Sequence, residues 1–316
     1  MSEFIKNIPG NGKFLYSSFN NYSNRDMIEF LNSNGIKTKV ERGKRVFPIT
    51  DKAQDVLQVF IKRLKELKVE IHMNSEVIKI LTKMKGAQKV VKGVQLKDGQ
   101  VIDADKVILA TGGMSYKMTG STGEGYKIAR ELGHNITEIR PSLVGLTVTK
   151  SDLWIVREAQ GLSLKNVGIK LAYKDSLIFS DFGEMLFTHL GVSGPVILTS
   201  SAYMVRYKNI EERLAENNVK LHIDLKPALE QEKLDLRIRR DFEENKNKQY
   251  KNSLDGLLPK KLIQPIIELS KINPDKKVNE ITKEERLRLV KLLKNLELTI
   301  SDFGSIDEAV ITARWC

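Results

Sequence analysis

Two adjacent glycines follow a short apolar segment near the middle of the chain. Val107-Ile108-Leu109-Ala110 runs without polar alternation, as a strand buried on both faces does, and Thr111, Gly112 and Gly113 come directly after it. In open α/β sheets, ligands bind beyond the carboxyl ends of the strands, where glycine lets the backbone approach a ligand closely. The pattern predicts a ligand-binding turn at Thr111-Gly112-Gly113, with a plain tight turn as the alternative.

A second glycine cluster spans Thr119 to Tyr126 and leads into an apparent helix that Gly133 would end in a left-handed conformation. A glycine-rich loop that opens a helix offers unpaired N–H groups to an anion, and Gly123 lies at this opening. The cluster is not a dinucleotide fingerprint, because no strand immediately precedes it and its glycine spacing is wrong. By itself it is a weak signal.

A third segment, Met185 to Pro195, combines hydroxyl, imidazole and glycine groups. Ser193 is predicted to cap a helix in which Pro195 occupies the first turn, so the helix start would face Thr188 and His189. A lone histidine is more often structural than catalytic, and the other histidines lack clustered partners, so no metal site is predicted. No nucleophile-elbow motif is present, which leaves hydrolase chemistry unsupported.

The elements around these segments suggest half of an α/β domain followed by a β-rich and then a helical part. In the first part, the pattern predicts one helix capped by Asn24, a second helix from Asp51, and a strand pair around Gly43. It also predicts four short strands, the last of which follows an Asp98-Gly99 turn: Val69–His72, Val77–Leu81, Val90–Leu96 and Val101-Ile102. Val107–Ala110 is expected to share a parallel sheet with Val69–His72.

Short alternating strands are predicted between residues 143 and 225, with one helix near Pro195 to Met204. From Pro227 to Leu296 the pattern is helical, and Thr282 with Glu285 forms a capping box. Strand patterns return near the end of the chain.

Composition describes an ordinary folded protein, with 316 residues, 41% hydrophobic and 29% charged. This length predicts two domains. A single cysteine fits a reducing cytosol, and no apolar stretch is long enough for a membrane span, so a soluble, cytoplasmic protein is expected.

The net charge of +12 raises the question of a nucleic-acid partner. The densest basic runs are Lys37 to Arg45, Arg237 to Arg240 and Lys246 to Lys251. Because 40 acidic residues are interleaved with the basic ones, these runs are interpreted first as solvated faces, and nucleic acid is not the expected partner. An RNA-acting protein remains the alternative.

Several motifs together resemble one family: Asn7-Ile8-Pro9-Gly10, Glu41 to Pro48, Ala110 to Gly113 with Ser115-Tyr116, Thr119 to Tyr126, Met185 to Pro195, and Asp224 to Pro227. The chain is similar to the BaiN/YhiN family of aminoacetone-oxidase-like NAD(P)/FAD-dependent oxidoreductases, from about Ile5 to Ala313. Met185-Leu186-Phe187-Thr188-His189 with Gly191 to Pro195 is the most specific part, whereas the Thr-Gly-Gly turn recurs across many flavoproteins.

The resemblance implies an α/β fold, namely a partial two-dinucleotide-binding-domain flavoprotein with a β-barrel-like insertion that carries a small helical subdomain. The implied domains are an FAD-binding part at 1–142, a β-rich insertion at 143–225, a helical insertion at 226–297 and a return to the β-rich part at 298–316. The resemblance implies FAD as cofactor, NAD(P)H as a candidate electron donor, and a small-molecule substrate. The residues implied to bind the cofactor are Arg45, Phe47, Pro48, Val77, Thr111, Gly112, Gly113 and Gly123. Those implied to line the substrate side are Thr188, His189 and Ser193.

The chain departs from the family pattern in three places. Lys117 replaces a usual proline, the strand and Gly-x-Gly-x-x-Gly turn that open the family are not present, and Thr312-Ala313 is followed by Arg314-Trp315-Cys316 instead of two glycines and a valine. A frameshifted or split reading frame is therefore hypothesised, with a complementary fragment encoded in an adjacent frame. The chain alone is expected to bind FAD weakly, and a non-catalytic fragment is the further alternative.

Overall fold

The computed structural model describes residues 2–41 and 44–313, so the predicted Gly43 turn and the Arg314-Trp315-Cys316 ending lie outside the described residues. The chain divides into two compact units, Met1–Val107 and Ile108–Cys316. The domain boundaries at 142, 225 and 297 stay predictions.

The first unit contains four helices and two antiparallel sheets among its described residues. These elements are α1 (Ser2–Lys6), α2 (Tyr16–Asn21), α3 (Asn24–Ser33), β1 (Thr38–Glu41), β2 (Arg45–Pro48), α4 (Ala53–Glu66), β3 (Val77–Lys85), β4 (Gln88–Leu96) and β5 (Val101–Asp103). β1 pairs with β2, and β3, β4 and β5 form a meander. The predicted strand pair, the helix after Asp51 and the hairpin at Asp98-Gly99 are confirmed.

The sequence predicts Asn24 as the N-cap of α3, but the N-cap is Ser23. The Ser23 side chain accepts from the backbone of Asp26, whose carboxylate accepts in turn from the Ser23 N–H at 2.6 Å. This reciprocal pair satisfies two N–H groups at once, which a cap at Asn24 would not do. The ring centroids of Phe30 and Phe60 lie 5.5 Å apart and join α3 to α4.

Two predicted strands of the first α/β part are not strands. Val69–His72 and Val107–Ala110 have no strand pairing in the described chain, and Ile108 is 90% exposed. A parallel strand needs hydrogen-bonded neighbours at its edges, and no described strand supplies them. The parallel sheet expected between these segments is therefore absent from the described residues.

The second unit is built around a barrel. Its elements are α5 (Glu124–Glu131), β6 (Arg140–Ser142), β7 (Leu146–Val148), α6 (Leu153–Glu158), β8 (Ser163–Tyr173), β9 (Ser176–Phe187), β10 (Gly191–Ser193), α7 (Pro195–Met204), α8 (Ile210–Ala215), β11 (Val219–Asp224), α9 (Gln231–Glu244), α10 (Lys260–Ser270), α11 (Lys283–Lys294), β12 (Leu296–Phe303) and β13 (Ile311–Ala313). Six strands close the barrel in the order β10-β7-β12-β11-β8-β9. The predicted helix at Pro195 to Met204 is confirmed.

Alternation along the strands fills the barrel. Val219, Leu221 and Ile223 of β11 are fully buried, and Leu221 lies opposite Leu171 of β8 and Leu298 of β12. Because successive strand residues point to opposite faces, these apolar side chains all enter the interior. The β-rich region predicted from alternation is thus the barrel.

The helical part, with helices α9 to α11, is inserted in the chain between barrel strands β11 and β12. Arg286 of α11 donates to both carboxylate oxygens of Asp235 on α9, from Nε at 2.6 Å and from its terminal nitrogen at 3.3 Å. The predicted capping box is confirmed, since Thr282 accepts from the N–H of Glu285 and the Glu285 carboxylate accepts from the N–H of Thr282. Tyr250, fully buried, donates its hydroxyl to Ser270 at 3.1 Å.

Candidate functional site

A cavity of about 340 Å³ in the second unit contains the predicted glycine turn. Its lining consists of Leu109, Ala110, Thr111, Gly112, Gly113, Gly125, Tyr126, Ala129, Ile311 and Thr312. The turn thus forms one wall, the first turns of α5 another, and β13 a third. Sequence reasoning found the turn but gave no role to Thr312, which lies about 200 residues further along the chain.

Gly113 is a glycine because Thr312 occupies the space beside it. A Cβ atom on Gly113 would lie 2.3 Å from Oγ1 and 2.9 Å from Cβ of Thr312, closer than real Cβ contacts allow. The same Oγ1 accepts a hydrogen bond from the backbone N–H of Met114 at 2.8 Å. The close neighbour of this glycine is therefore an atom of the chain itself, and the predicted approach of a ligand stays a prediction.

Gly125, in the first turn of α5, has a corresponding role. A Cβ atom there would lie 2.1 Å from Oγ1 of Thr111, so the Thr111 side chain packs directly over the start of the helix. Gly112, the residue after Thr111, has φ +74, a left-handed conformation that residues with side chains disfavour. The atom nearest to where its Cβ would be is Oγ of Ser121. Turn and helix therefore form one packed unit.

Gly123 is the N-cap residue of α5, with φ +87 and no capping side chain. A Cβ atom on it would lie 2.8 Å from Cγ of Met114, so the two glycine clusters predicted from the sequence come into contact. The left-handed Gly133 after α5 is also as predicted, with φ +97. The carboxylate of Glu124 lies in the first turn, where the helix dipole favours negative charge.

The residues predicted for the substrate side lie around the turn from β9 to β10. Thr188 closes this turn, because its N–H donates to the Gly191 carbonyl and its Oγ1 accepts from the Gly191 N–H at 3.1 Å. His189 is exposed, and Ser193 ends β10. The cap predicted at Ser193 is wrong, because the N-cap of α7 is Gly194. Gly194 has φ +95, and a Cβ atom on it would lie 2.8 Å from Cα of Met185. None of the three lines the cavity at the glycine turn.

The remaining predicted cofactor residues belong to the first unit. Arg45, Phe47 and Pro48 lie on β2, where the guanidinium carbon of Arg45 is 5.6 Å from the centroid of the Phe47 ring. Val77 begins β3 and pairs with Leu96. Their roles towards FAD stay predictions.

Tyr250, which does not line the cavity, has a perturbed pKa. Burial raises the pKa of Tyr250 to about 12, against a smaller opposing effect of the hydrogen bond with Ser270. Among residues 2–41 and 44–313, no three His, Cys, Asp or Glu side chains are grouped as metal ligands would be. In the same ranges, no helix is long and apolar enough to cross a lipid bilayer.

Comparison with known proteins assigns the class. Residues 27–134 match the pyridine nucleotide-disulphide oxidoreductase domain, which is a domain of flavoprotein oxidoreductases. Residues 140–311, more than half of the chain, match the HI0933-like protein barrel and H2TH domain. The chain belongs to this HI0933-like family, which confirms the resemblance and the fold class predicted from the motifs.

Curated relatives extend over most of the chain. It is 30% identical over 294 residues to a 3-dehydro-bile acid delta(4,6)-reductase of Clostridium scindens, covering 91% of this chain and 66% of the relative. It is 25% identical over 284 residues to the ribosomal RNA dihydrouridine synthase of Escherichia coli, covering 90% and 64%. The Haemophilus influenzae protein of that name is 26% identical over 314 residues, covering 96% and 72%. The chain thus spans about two thirds of the length of these relatives.

Proposed function

We propose that this chain is part of an FAD-dependent reductase that saturates a carbon–carbon double bond conjugated with a carbonyl group. The observation that carries the proposal is the cavity at Thr111-Gly112-Gly113, in a chain of a flavoprotein family. The left-handed φ of Gly112 and the cavity of about 340 Å³ beside the turn would let part of a nucleotide approach the backbone there. Thr111, Gly112, Gly113 and Gly123 would hold FAD at this cavity. Roles of Arg45, Phe47, Pro48 and Val77 towards FAD are proposed from the family resemblance alone.

The names of the relatives support this reaction class. A delta(4,6)-reductase of a 3-dehydro-bile acid and a dihydrouridine synthase both add two hydrogens to a ring that contains a carbonyl-conjugated double bond. FAD, when bound, would supply the hydride chemistry, with NAD(P)H as the proposed source of the two electrons and one proton, and a second proton would complete the addition of two hydrogens. The shared electronic feature is the carbonyl that accepts negative charge as the hydride arrives.

This chain's own residues would position the substrate and supply the proton. Thr188, His189 and Ser193 are proposed for the substrate side, with the imidazole of His189 as the proposed proton donor. The exposure of His189 leaves its ring accessible, whereas the Thr188 hydroxyl already accepts a bond within the turn. We propose a cytoplasmic location, because a chain with a single cysteine suits a reducing compartment and because that compartment supplies reduced nicotinamide.

The proposal is tested by NADPH oxidation by the FAD-loaded protein, with a steroid dienone as acceptor. His189→Gln is expected to lower kcat with flavin content unchanged, because glutamine cannot act as the proton donor. Lys150→Gln, a surface change on the same unit, serves as control. A protein that holds FAD but reduces neither a dienone nor uridine in RNA would contradict the proposed reaction.

A second candidate is a flavoprotein that acts on RNA. Two relatives of this chain are ribosomal RNA dihydrouridine synthases, and its net charge is +12. The two candidates differ in substrate and share the chemistry, because the uracil ring also carries a carbonyl-conjugated double bond. Reduction of uridine in ribosomal RNA, measured as dihydrouridine by mass spectrometry, would favour this candidate over the small-molecule one.

We propose a complementary polypeptide as a partner, because the apolar segment at Ile108 and Leu109 is exposed. Ile108 is 90% and Leu109 41% exposed, and neither belongs to a strand. Adding a strand beside this segment would satisfy its backbone groups and cover its side chains. Co-expression with a candidate complementary polypeptide is the test, with co-purification and increased FAD content as the expected result.

A further inference from the structure

Each of the three basic runs that stand out in the sequence contains cations paired with acidic neighbours. Lys39 contacts both Glu41 and Asp51, the latter at 2.7 Å. In the second unit, Arg237 and Arg240 contact Asp241. The run from Lys246 to Lys251 forms the ion pairs Lys246–Glu243 and Lys251–Asp275. A phosphate would have to compete with carboxylates at each of these sites.

The β3–β4 hairpin of the first unit is different. Between Val77 and Leu96 the sequence has no acidic residue. The hairpin has five exposed lysines, and in the described part of the chain none of them is in an ion pair: Lys79, Lys83, Lys85, Lys89 and Lys92. We call this set the lysine hairpin.

Strand geometry puts three of these lysines on one face. Lys79, Lys83 and Lys85 alternate with Ile80, which is buried, so they point away from the core of the first unit. Alternate residues of a strand are about 6.6 Å apart, which spaces Lys83 and Lys85 as a regular row of charge. The turn at Gly86 leaves this end of the hairpin open, since no atom lies within 4 Å of where a Gly86 Cβ would be.

The acid nearest to this face in the sheet is Asp103. It lies opposite Gly93, which lies opposite Leu81, so Asp103 shares the face at a distance of two strand spacings from β3, about 10 Å. That distance is comparable with the Debye length of about 8 Å at physiological salt, so Asp103 offsets little of the lysine charge. The face therefore presents uncompensated positive charge.

We propose that the lysine hairpin is an RNA-binding surface that contacts the phosphate backbone. The assignment rests on the second candidate function, an RNA-acting flavoprotein. A row of lysines without acidic neighbours fits a polyanion, because phosphate contacts release counterions. The face has few exposed apolar side chains to insert into a bilayer, which favours RNA over an anionic membrane.

The test compares two triple variants of the 316-residue protein that lose the same charge. Lys79→Gln, Lys83→Gln and Lys85→Gln remove the row. Lys233→Gln, Lys260→Gln and Lys283→Gln form the control; these lysines are exposed in the first turns of α9, α10 and α11, where removing a cation is favourable for the helix dipole. Both variants reduce the net charge from +12 to +9, by subtraction of three lysines.

The measurement is fluorescence anisotropy with a labelled single-stranded oligouridine and a labelled RNA hairpin, at several salt concentrations. The row variant is expected to bind at least about tenfold more weakly and to reduce the slope of log K against log salt by roughly 2, since each lost contact contributes about 0.7. The control is expected to bind like the unmodified protein. Equal loss in both variants, or loss in neither, would overturn the proposal, as would binding to phosphatidylserine vesicles but not to RNA.

Flavin binding, measured on the same samples by fluorescence quenching, separates this inference from the proposed function. Unchanged flavin affinity with lost RNA binding supports the surface assignment. RNA binding through the row by a protein without uridine reduction would leave the surface intact and remove the proposed reaction on RNA.

Discussion

The backbone N–H of Met114 donates a hydrogen bond to Oγ1 of Thr312 at 2.8 Å, and the same hydroxyl fills the space that a side chain on Gly113 would need. The contact joins the glycine turn to β13, which pairs with β6. The wall of the cavity is therefore completed by a strand that follows the barrel and the helical part in sequence.

Removing the Thr312 hydroxyl tests this contact. Thr312→Val keeps the side-chain volume but leaves the Met114 N–H without its acceptor, so a loss of about 1–2 kcal/mol in the free energy of unfolding is expected. Urea denaturation gives this value, and FAD titration is expected to show weaker binding. Thr312→Ser retains the hydroxyl and is the control. Equal stability of the Val and Ser variants would contradict the role of the hydrogen bond.

Adding a methyl group at Gly113 tests the packing. Gly113→Ala forces Thr312 to move, because its Oγ1 lies 2.3 Å from the position of the new Cβ. Overpacking of this kind costs about 1–3 kcal/mol, and we expect that loss with a matching decrease in FAD affinity. Gly256→Ala is the control, since nothing lies within 4 Å of its Cβ position and its φ is not positive. A Gly113 variant as stable as the control would refute the packing argument.

Tyr250 makes the stability of the helical part sensitive to alkaline pH. Burial raises the pKa of Tyr250 to about 12 from 10.0, so between these values the folded protein holds a proton that the unfolded chain releases. The stabilisation is complete below about pH 10 and is lost as the pH rises towards 12, on the order of 3 kcal/mol in all. Denaturation between pH 9 and 12 measures it.

Tyr250→Phe is the comparison, because other groups also titrate in this range. The variant is expected to lose about 1 kcal/mol at pH 8, where the Ser270 contact is missing, and to show a shallower alkaline decline. Parallel pH profiles for the two proteins would show that Tyr250 does not titrate as described.

The ion pair of Arg286 with Asp235 is expected to stabilise the packing of α11 on α9. Both side chains are 17% exposed and the contact uses two nitrogens and two oxygens, so Arg286→Lys loses the paired geometry. A cost of about 1–2 kcal/mol in thermal unfolding is expected. Arg240→Lys, at a single exposed contact 3.7 Å long, is the control and is expected to be nearly neutral.

Local chemistry in the sequence was sufficient for much of this protein. The 3.6-residue period around Phe60, the Thr282 and Glu285 capping box, the helix at Pro195 to Met204 and the Asp98-Gly99 hairpin depend on neighbours a few residues away, so they were predictable. The glycine turn at Thr111 to Gly113 was also identified as a site candidate, and the motifs around it identified the family.

Tertiary structure decided what depends on distant partners. Val107–Ala110 has the composition of a buried strand, yet a strand exists only where another strand pairs with it, and none in the described chain does. Helix caps shifted by one residue, from Asn24 to Ser23 and from Ser193 to Gly194, because backbone geometry decides which residue can cap. The reason for Gly113 lies in Thr312, and no local pattern can reveal a contact across about 200 residues. Likewise, charge counts alone could not single out the lysines of the β3–β4 hairpin, because only folding determines which lysines lie beside a carboxylate and which do not.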